Sequence, residues 1–544
     1  VVGAGVTDAA LSSTGLLASA PDSTSDATVS ASAIAALNGN VALEASRDLS
    51  IDVALALPNQ TSGETVTFTA GGNLSINAPV STGGGAMTFK ASSGGVNSRT
   101  ATLTILGQTS GGDVTFQNDG GSGGILLSAS LSNPGKGLTF TGNTKVTSDL
   151  ILTGRDIVFN SRLDGDTADV RTLTVVPSGT ATFSGTVGTL PLKALIVDGG
   201  GTAVLNGGTV KATTLAFKTP VQITRNTTLN VTDVQFYSKI DAATSKSGSL
   251  TINASNNTVF DGAIGGTAGS GTITTLTTDS VGKTTLKGGG ITANSIRIAD
   301  PLVLGANTTL TGNASITGTV DGDLAANARQ LSLVSPGTST LAGDVGAGEK
   351  LGSITSDSGG ATVFRGGVVN ATTQTYSDNV NFGADATLTG TTVTFNGTLN
   401  GSGKTLHVNA SGVTTFGGNV GTSGLFTGLV TDTAGSTTIR GTALRSRTLT
   451  LNDPVSLGAD VVITAATQAN LLNTVNGDIS DTRSLTINSP DLQIGAGGLI
   501  GFSGLVKKLT TDAAGSTTID ASQVRATTQE YKDPIKLGAD LTLT

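Results

Sequence analysis

The sequence has no cysteine and no tryptophan, and only one methionine (Met87) and one histidine (His407) in 544 residues. The missing cysteines exclude a disulfide scaffold, a CxxC zinc site and a thiol nucleophile. A single histidine excludes multi-histidine metal centres. Charged residues make up 12%, about half the usual share. The net charge of −8 argues against nucleic acid or anionic lipid as the main partner. No run of 18 apolar residues is present, so nothing crosses a membrane as a helix. What is abundant is glycine, 77 residues, roughly twice normal usage. The chain is 37% hydrophobic with a mean hydropathy of +0.15. Disorder goes with high charge and few apolar groups; this composition has neither, so the chain is expected to fold through Val, Ile, Leu, Ala and its 15 Phe.

The sequence opens on Val1-Val2-Gly3, with no initiator methionine and no basic-then-apolar leader. It closes on Leu537-Gly538-Ala539-Asp540-Leu541-Thr542-Leu543-Thr544, the middle of a repeat. Both ends predict a piece of a longer protein.

Self-similarity is the strongest signal. A Leu-Gly-Ala-Asp phrase occurs at Leu304 (ending in Asn307), Phe382, Leu457 and Leu537, with a weaker copy at Ile223. A Leu-Thr-Val phrase keeps the same clock at Leu173, Leu250, Leu331, Leu406 and Leu485. So do turn aspartates at Asp198, Asp279, Asp357, Asp432 and Asp512. Three independent phrases thus share one period of 75–81 residues. Within a unit the pattern alternates with period two, as in Ser484-Leu485-Thr486-Ile487-Asn488, which is the strand period. Residues 28–38 are the best helix candidate, and they are too short and serine-rich to carry one. A nearly all-β fold follows.

A short alternating strand buries one face and is not stable alone. Coiling lets equivalent strands pair in parallel and stack their inward residues into a continuous core. Equivalent positions are apolar accordingly: Phe217, Ile298, Tyr376, Leu451 and Tyr531 share one, and Phe183, Phe260, Leu341, Phe416 and Ile494 another. A third holds Phe159, Phe236 and Phe395. Propeller blades of about 40–50 residues do not match the period. In the N-terminal part, strands at Val41, Val66 and Ala86 recur at the length of one short turn, so each long repeat holds three or four turns. The expected fold is an all-β parallel β-helix (a β-solenoid) built from 75–81-residue repeats. It comprises an irregular segment at 1–40, a solenoid with short turns at 41–120 and the repeat array at 121–544. Stacked at about 4.8 Å per turn, the chain would form a rod on the order of 100–130 Å.

The stretches Ala42-Leu43-Glu44-Ala45-Ser46-Arg47-Asp48-Leu49-Ser50-Ile51 and Gly71 to Gly85 (GGNLSINAPVSTGGG) resemble the filamentous haemagglutinin family of large bacterial exoproteins. Thr372-Thr373-Gln374-Thr375-Tyr376 and Thr527-Thr528-Gln529-Glu530-Tyr531 are similar to the repeat arrays of the same adhesin-like class. The resemblance covers roughly residues 41–544 and is one of repeat style. It implies the right-handed hand of the coil, export by two-partner secretion through an outer-membrane barrel, and a role in adhesion. Residues 1–40 do not show the family's secretion domain.

Candidate chemistry is sparse. His407 occupies a slot that holds Thr251 and Thr486 in sister repeats, so it reads as a substituted threonine. Acidic runs at Asp164, Asp166 and Asp169, at Asp321 and Asp323, and at Asp478 and Asp481 fall at one corner of their units. That position points to turns, and not to the clustered carboxylates of a glycosidase groove. Calcium binding there would lack the EF-hand spacing. Asn226, Asn253, Asn307, Asn370 and Asn409 stand in Asn-x-Ser/Thr sequons, which this composition produces freely. Thr308-Thr309-Leu310-Thr311 is similar to an ice-binding ladder, which needs strict register that variable repeat lengths work against. No catalytic, cofactor-binding or metal residue is assigned, and no enzyme activity or cofactor is expected. The expected function is an extracellular structural or adhesive rod or fibre on a bacterial surface, acting by avidity of repeated polar faces. Its expected partners are the secretion barrel, a cell-surface or glycan receptor, and other copies of itself. The alternative is a stalk presenting a downstream toxin or carbohydrate-binding domain.

Overall fold

A computed structural model describes residues 1–3, 28–92, 101–119 and 123–544. Most of the segment 1–40 therefore lies outside the described residues. The chain is 58% strand and 2% helix, with parallel strands stacked as a β-solenoid of about 23 turns. It divides into two compact units, Val1–Thr274 and Thr275–Thr544.

Period-two alternation sets each strand's orientation. In Thr65–Ala70 the residues Val66, Phe68 and Ala70 are buried while the threonines between them face out. Each strand then pairs in parallel with its counterpart one coil away; Val66 and Phe68 lie between Val41 and Leu43 below and Met87 and Phe89 above. In the first unit this builds a ten-stranded sheet from Val41–Ala45 to Ile240–Ala242. Phe68, Phe89, Phe116, Phe140, Phe159 and Phe183 stack inside it with ring centroids 4.9–5.6 Å apart. A helical turn does form within 28–38, at Ala31–Ala35. The Ser30 side chain caps it by accepting from the Ala33 N–H at 3.2 Å, and Ile34 is fully buried. Capping and burial outweigh the serine-rich composition here.

The second unit shows how the long repeat maps onto coils. Its strands form three stacked faces. Starting from Ile298, pairing runs through Ile316, Leu341, Phe364 and Phe382. The same face continues from Val380 through Leu399, Val420, Leu444, Ile463, Ile487 and Thr511. The pairing of Thr510 with Glu530 sets Tyr531 above Thr511. Ile298 and Tyr531 are equivalent residues three repeats apart, and eleven coils separate them. One repeat is thus three and two-thirds coils. The equivalents between them fall on the other two faces: Tyr376 pairs with Ser356 and Phe395 on the second, and Leu451 with Leu471 on the third. At some corners the coils approach so closely that only glycine fits. A Cβ on Gly418 would lie 2.1 Å from the Gly397 carbonyl oxygen, and one on Gly441 would lie 2.2 Å from that of Gly418.

Candidate functional site

The acidic corners are built for structure. Each repeat carries one non-glycine residue in the left-handed region: Asp169, Ser245, Ala328, Ser402 and Asp481. At alternate corners an arginine closes the turn. Arg171 holds Asp166 at 2.7 and 2.9 Å, Arg329 holds Asp323 at 2.8 Å through both oxygens, and Arg483 holds Asp478 at 2.6 and 3.2 Å. These hydrogen bonds keep Asp166, Asp323 and Asp478 below the ordinary carboxylate range. Asp321 accepts from the Gly348 and Glu349 N–H groups, and Asp164 from Leu190 N–H. Asp169 and Asp481 accept from the Thr213 and Thr527 hydroxyls. Among the described residues no three His, Cys, Asp or Glu side chains come together as a metal site.

The Leu-Gly-Ala-Asp phrase also has a structural task. Asn226, Asn307, Asp385 and Asp460, with Asp149 standing 77 residues before Asn226 on the same clock, each accept from the backbone N–H that opens the next coil's strand, at Ser249, Gln330, Thr405, Ser484 and Thr172 respectively, over 2.8–3.2 Å. Each of those residues immediately precedes the Leu of the second phrase. The two phrases are therefore halves of one contact. Asn226 and Asn307 take part in it through Oδ1 alone, and Asn253 donates to Asn230 at 2.9 Å. Asn370 and Asn409 lie within strands, both in register with Thr389.

A buried set escapes the sequence reading. Asp300, Asp378, Asp453 and Asp533 are buried at 1–7% exposure. Each receives two hydroxyls, one from 22 and one from 16 residues earlier. Thr278 and Thr284 serve Asp300 at 2.7 and 2.8 Å, Thr431 and Thr437 serve Asp453 at 2.7 and 2.8 Å, and Thr511 and Thr517 serve Asp533 at 2.6 and 2.7 Å. Ser356 and Thr362 serve Asp378. Burial pushes Asp300, Asp378 and Asp453 up despite these donors. The repeat before them has Thr219 instead, with Val197 and Ala203 at the two donor positions, and the Thr219 hydroxyl is buried without a partner. The available signal was an Asp before Pro or Asn on the 75–81-residue clock, which reads as a turn until its hydroxyl partners are known.

The outer surface is made of side-chain ranks. His407 is exposed on the third face of the second unit, in line with Thr387 and Val430, in the outward slot expected of it. On the second face Thr355, Thr375, Thr394, Thr415 and Thr438 stand in register over five coils. Ser332 and Thr309 extend this rank at one end, and Ser456 and Asn476 at the other. Beside it runs a second rank of Ser353, Thr373, Thr392, Val413 and Ser436. The strict register that variable repeat lengths argue against is therefore present, because length differences are absorbed at corners. In the first unit, Asp169, Pro191, Lys211, Thr213, Asn230 and Thr232 line a shallow open cleft of about 300 Å³.

No family model matches the chain, and no solved structure matches it. The chain is similar to outer membrane protein A of Rickettsia rickettsii, at 27% identity over 366 residues, 63% of this chain. It spans about 15% of that relative's length. A β-solenoid and a likeness to an outer-membrane protein thus coincide in one chain.

Proposed function

We propose that this chain is a repeat segment of a bacterial cell-surface protein, working as an extracellular structural and adhesive rod without catalytic activity. The observation that carries this reading is the 366-residue similarity to an outer-membrane protein in a chain whose fold is a stacked column of coils. Its corner carboxylates are engaged by arginines, hydroxyls and backbone amides, which supports a scaffolding role for them. Polar ranks repeated coil after coil suit binding by avidity, in which many weak contacts add up; a cell-surface or glycan receptor is the partner this implies. The repeat style supports a filamentous-haemagglutinin-like exoprotein, exported through an outer-membrane barrel partner by two-partner secretion. Because the chain spans about 15% of its relative, a stalk that presents a toxin or carbohydrate-binding domain elsewhere in a longer protein is the second reading.

The test is immunolabelling of the native cells with antibody raised against residues 198–544. Label along fibres or at cell–cell junctions is the expected result. Label confined to the medium would remove the surface-adhesive reading. Loss of adherence on deleting this segment, with surface display intact, would separate adhesion from stalk.

A further inference from the structure

We propose that the threonine-ranked second face of the unit Thr275–Thr544 is a self-association surface, and that its occupant is the same face of a second copy of this chain.

The first ground is chemical availability. Among the described residues the hydroxyls of Thr355, Thr375, Thr394, Thr415 and Thr438 make no hydrogen bond, unlike the Ser and Thr hydroxyls that hold the buried aspartates. Each side chain also offers a methyl group, so the face is amphiphilic at every coil. The second ground is charge. Two copies each carrying −8 repel, and close approach is cheapest where neither side bears a charge. The first rank from Thr309 to Asn476 has no ionisable side chain, nor has the second rank from Ser353 to Ser436. The other two faces include Arg297, Lys508 and Lys536 in strands. The third ground is periodicity. A rank repeating at about 4.8 Å is matched along its length by a partner of the same repeat, and another copy has it by construction. Identical ladders of small side chains pack into dry, interdigitated sheet interfaces in the same way.

Size is sufficient for a weak dimer. Nine coils at about 4.8 Å and strands about 13 Å long give roughly 500 Å² per copy, or about 1,000 Å² in total, at the lower edge of specific interfaces. A two-fold axis maximises overlap when it passes through the middle of the rank, which is Thr394. The pairing is then antiparallel, with Thr394 facing its own counterpart and Thr375 facing Thr415.

The inference deepens the proposed structural role of the rod, but it is tested on the purified chain, so failure of surface display would leave it standing. Sedimentation velocity of the full chain across a concentration series should show reversible association, strengthened by added salt as the −8 charge is screened. Thr375→Lys with Thr394→Lys should weaken association at least tenfold, whereas Thr450→Lys with Asn470→Lys, on the third face, should leave it unchanged; circular dichroism confirms that both variants fold. Since the chain has no cysteine, Thr394→Cys is a clean second probe and should oxidise to a covalent dimer faster than Asn470→Cys. A wild-type chain that stays monomeric at every concentration overturns the proposal. So does association that the two second-face lysines leave intact. A monomeric chain whose second-face variant loses adherence to cells assigns the face to a receptor instead, and equally removes the second copy as its occupant.

Discussion

At the scale of single residues, the buried aspartates show a side chain and its partners changing together. Where Asp occupies the position, Ser or Thr stands 22 and 16 residues earlier; where Thr219 occupies it, Val197 and Ala203 stand there. A carboxyl placed at 219 alone would meet two apolar neighbours, and burying an unpartnered polar group costs about 1–3 kcal/mol. Thr219→Asp is therefore expected to lower the unfolding midpoint in a denaturant titration, and adding Val197→Thr and Ala203→Thr should recover most of the loss. Coupling of this kind is absent if the three changes are simply additive. The same groups set a pH dependence. Asp300, Asp378 and Asp453 have folded pKa values raised above the unfolded one, chiefly by burial. Their contribution to stability is thus full below about pH 3.8 and is lost as pH rises through the folded values. Asp453→Asn removes one such loss, so its melting temperature should fall less than that of the wild type between pH 4 and pH 7. The exposed Asp–Arg forks have the opposite sign: their lowered pKa values stabilise above the unfolded pKa and stop doing so as acid protonates them. Parallel pH profiles for the wild type and the Asp453→Asn variant would show that burial at this site carries no titration cost.

At the scale of elements, the strand is set by alternation and held by its column. Phe116 lies between Phe89 and Phe140 at 5.6 and 5.2 Å with no exposed surface. Phe116→Ala removes a ring that both neighbouring coils use, and a cost of about 3–5 kcal/mol is expected, read as a shift in denaturant midpoint. Gly418→Ala is a different test, since the added methyl would meet the Gly397 carbonyl oxygen of the coil below. Backbone has little room to give there, so the variant should be clearly destabilised although alanine normally favours order over glycine. Strand periodicity and the inward positions were legible from the sequence because they repeat: Phe217, Ile298, Tyr376 and Leu451 are all buried. Tyr531 is the half-buried exception. The helical turn at Ala31–Ala35 was less legible, since its support comes from Ser30 and from burial of Ile34, neither of which shows in composition. The buried aspartates were hidden for a related reason. Their partners sit one coil away, at separations that mean nothing until the coil length is known.

At the scale of the whole molecule, the long repeat and the coil are incommensurate. In the second unit three repeats fill eleven coils, so each repeat presents its features one face further round the column. That relation was not legible from the sequence, where the 75–81-residue clock is loud and individual coils vary in length at their corners. It explains why corner carboxylates recur without assembling into one site, and why the threonine rank draws on strands from several repeats. It also makes a prediction about length. Excising residues 301–378, one full repeat, joins Asp300 to Asn379. The strand Asn379–Phe382 then lies on Lys283–Leu286 where Leu302–Leu304 lay before, and every later strand meets a partner equivalent to its own. Stability in stacked repeats is a sum of nearest-neighbour terms, so this shortened chain should keep its β circular dichroism per residue and melt cooperatively. Excising residues 301–339, half a repeat, removes a similar type of sequence but leaves the strands of the first coil after the junction facing non-equivalent neighbours, with inward and corner positions out of step there. That chain should lose cooperative melting. If both deletions behave alike, the columns tolerate any neighbour, and the 75–81-residue period reflects the history of the sequence more than the physics of its stacking.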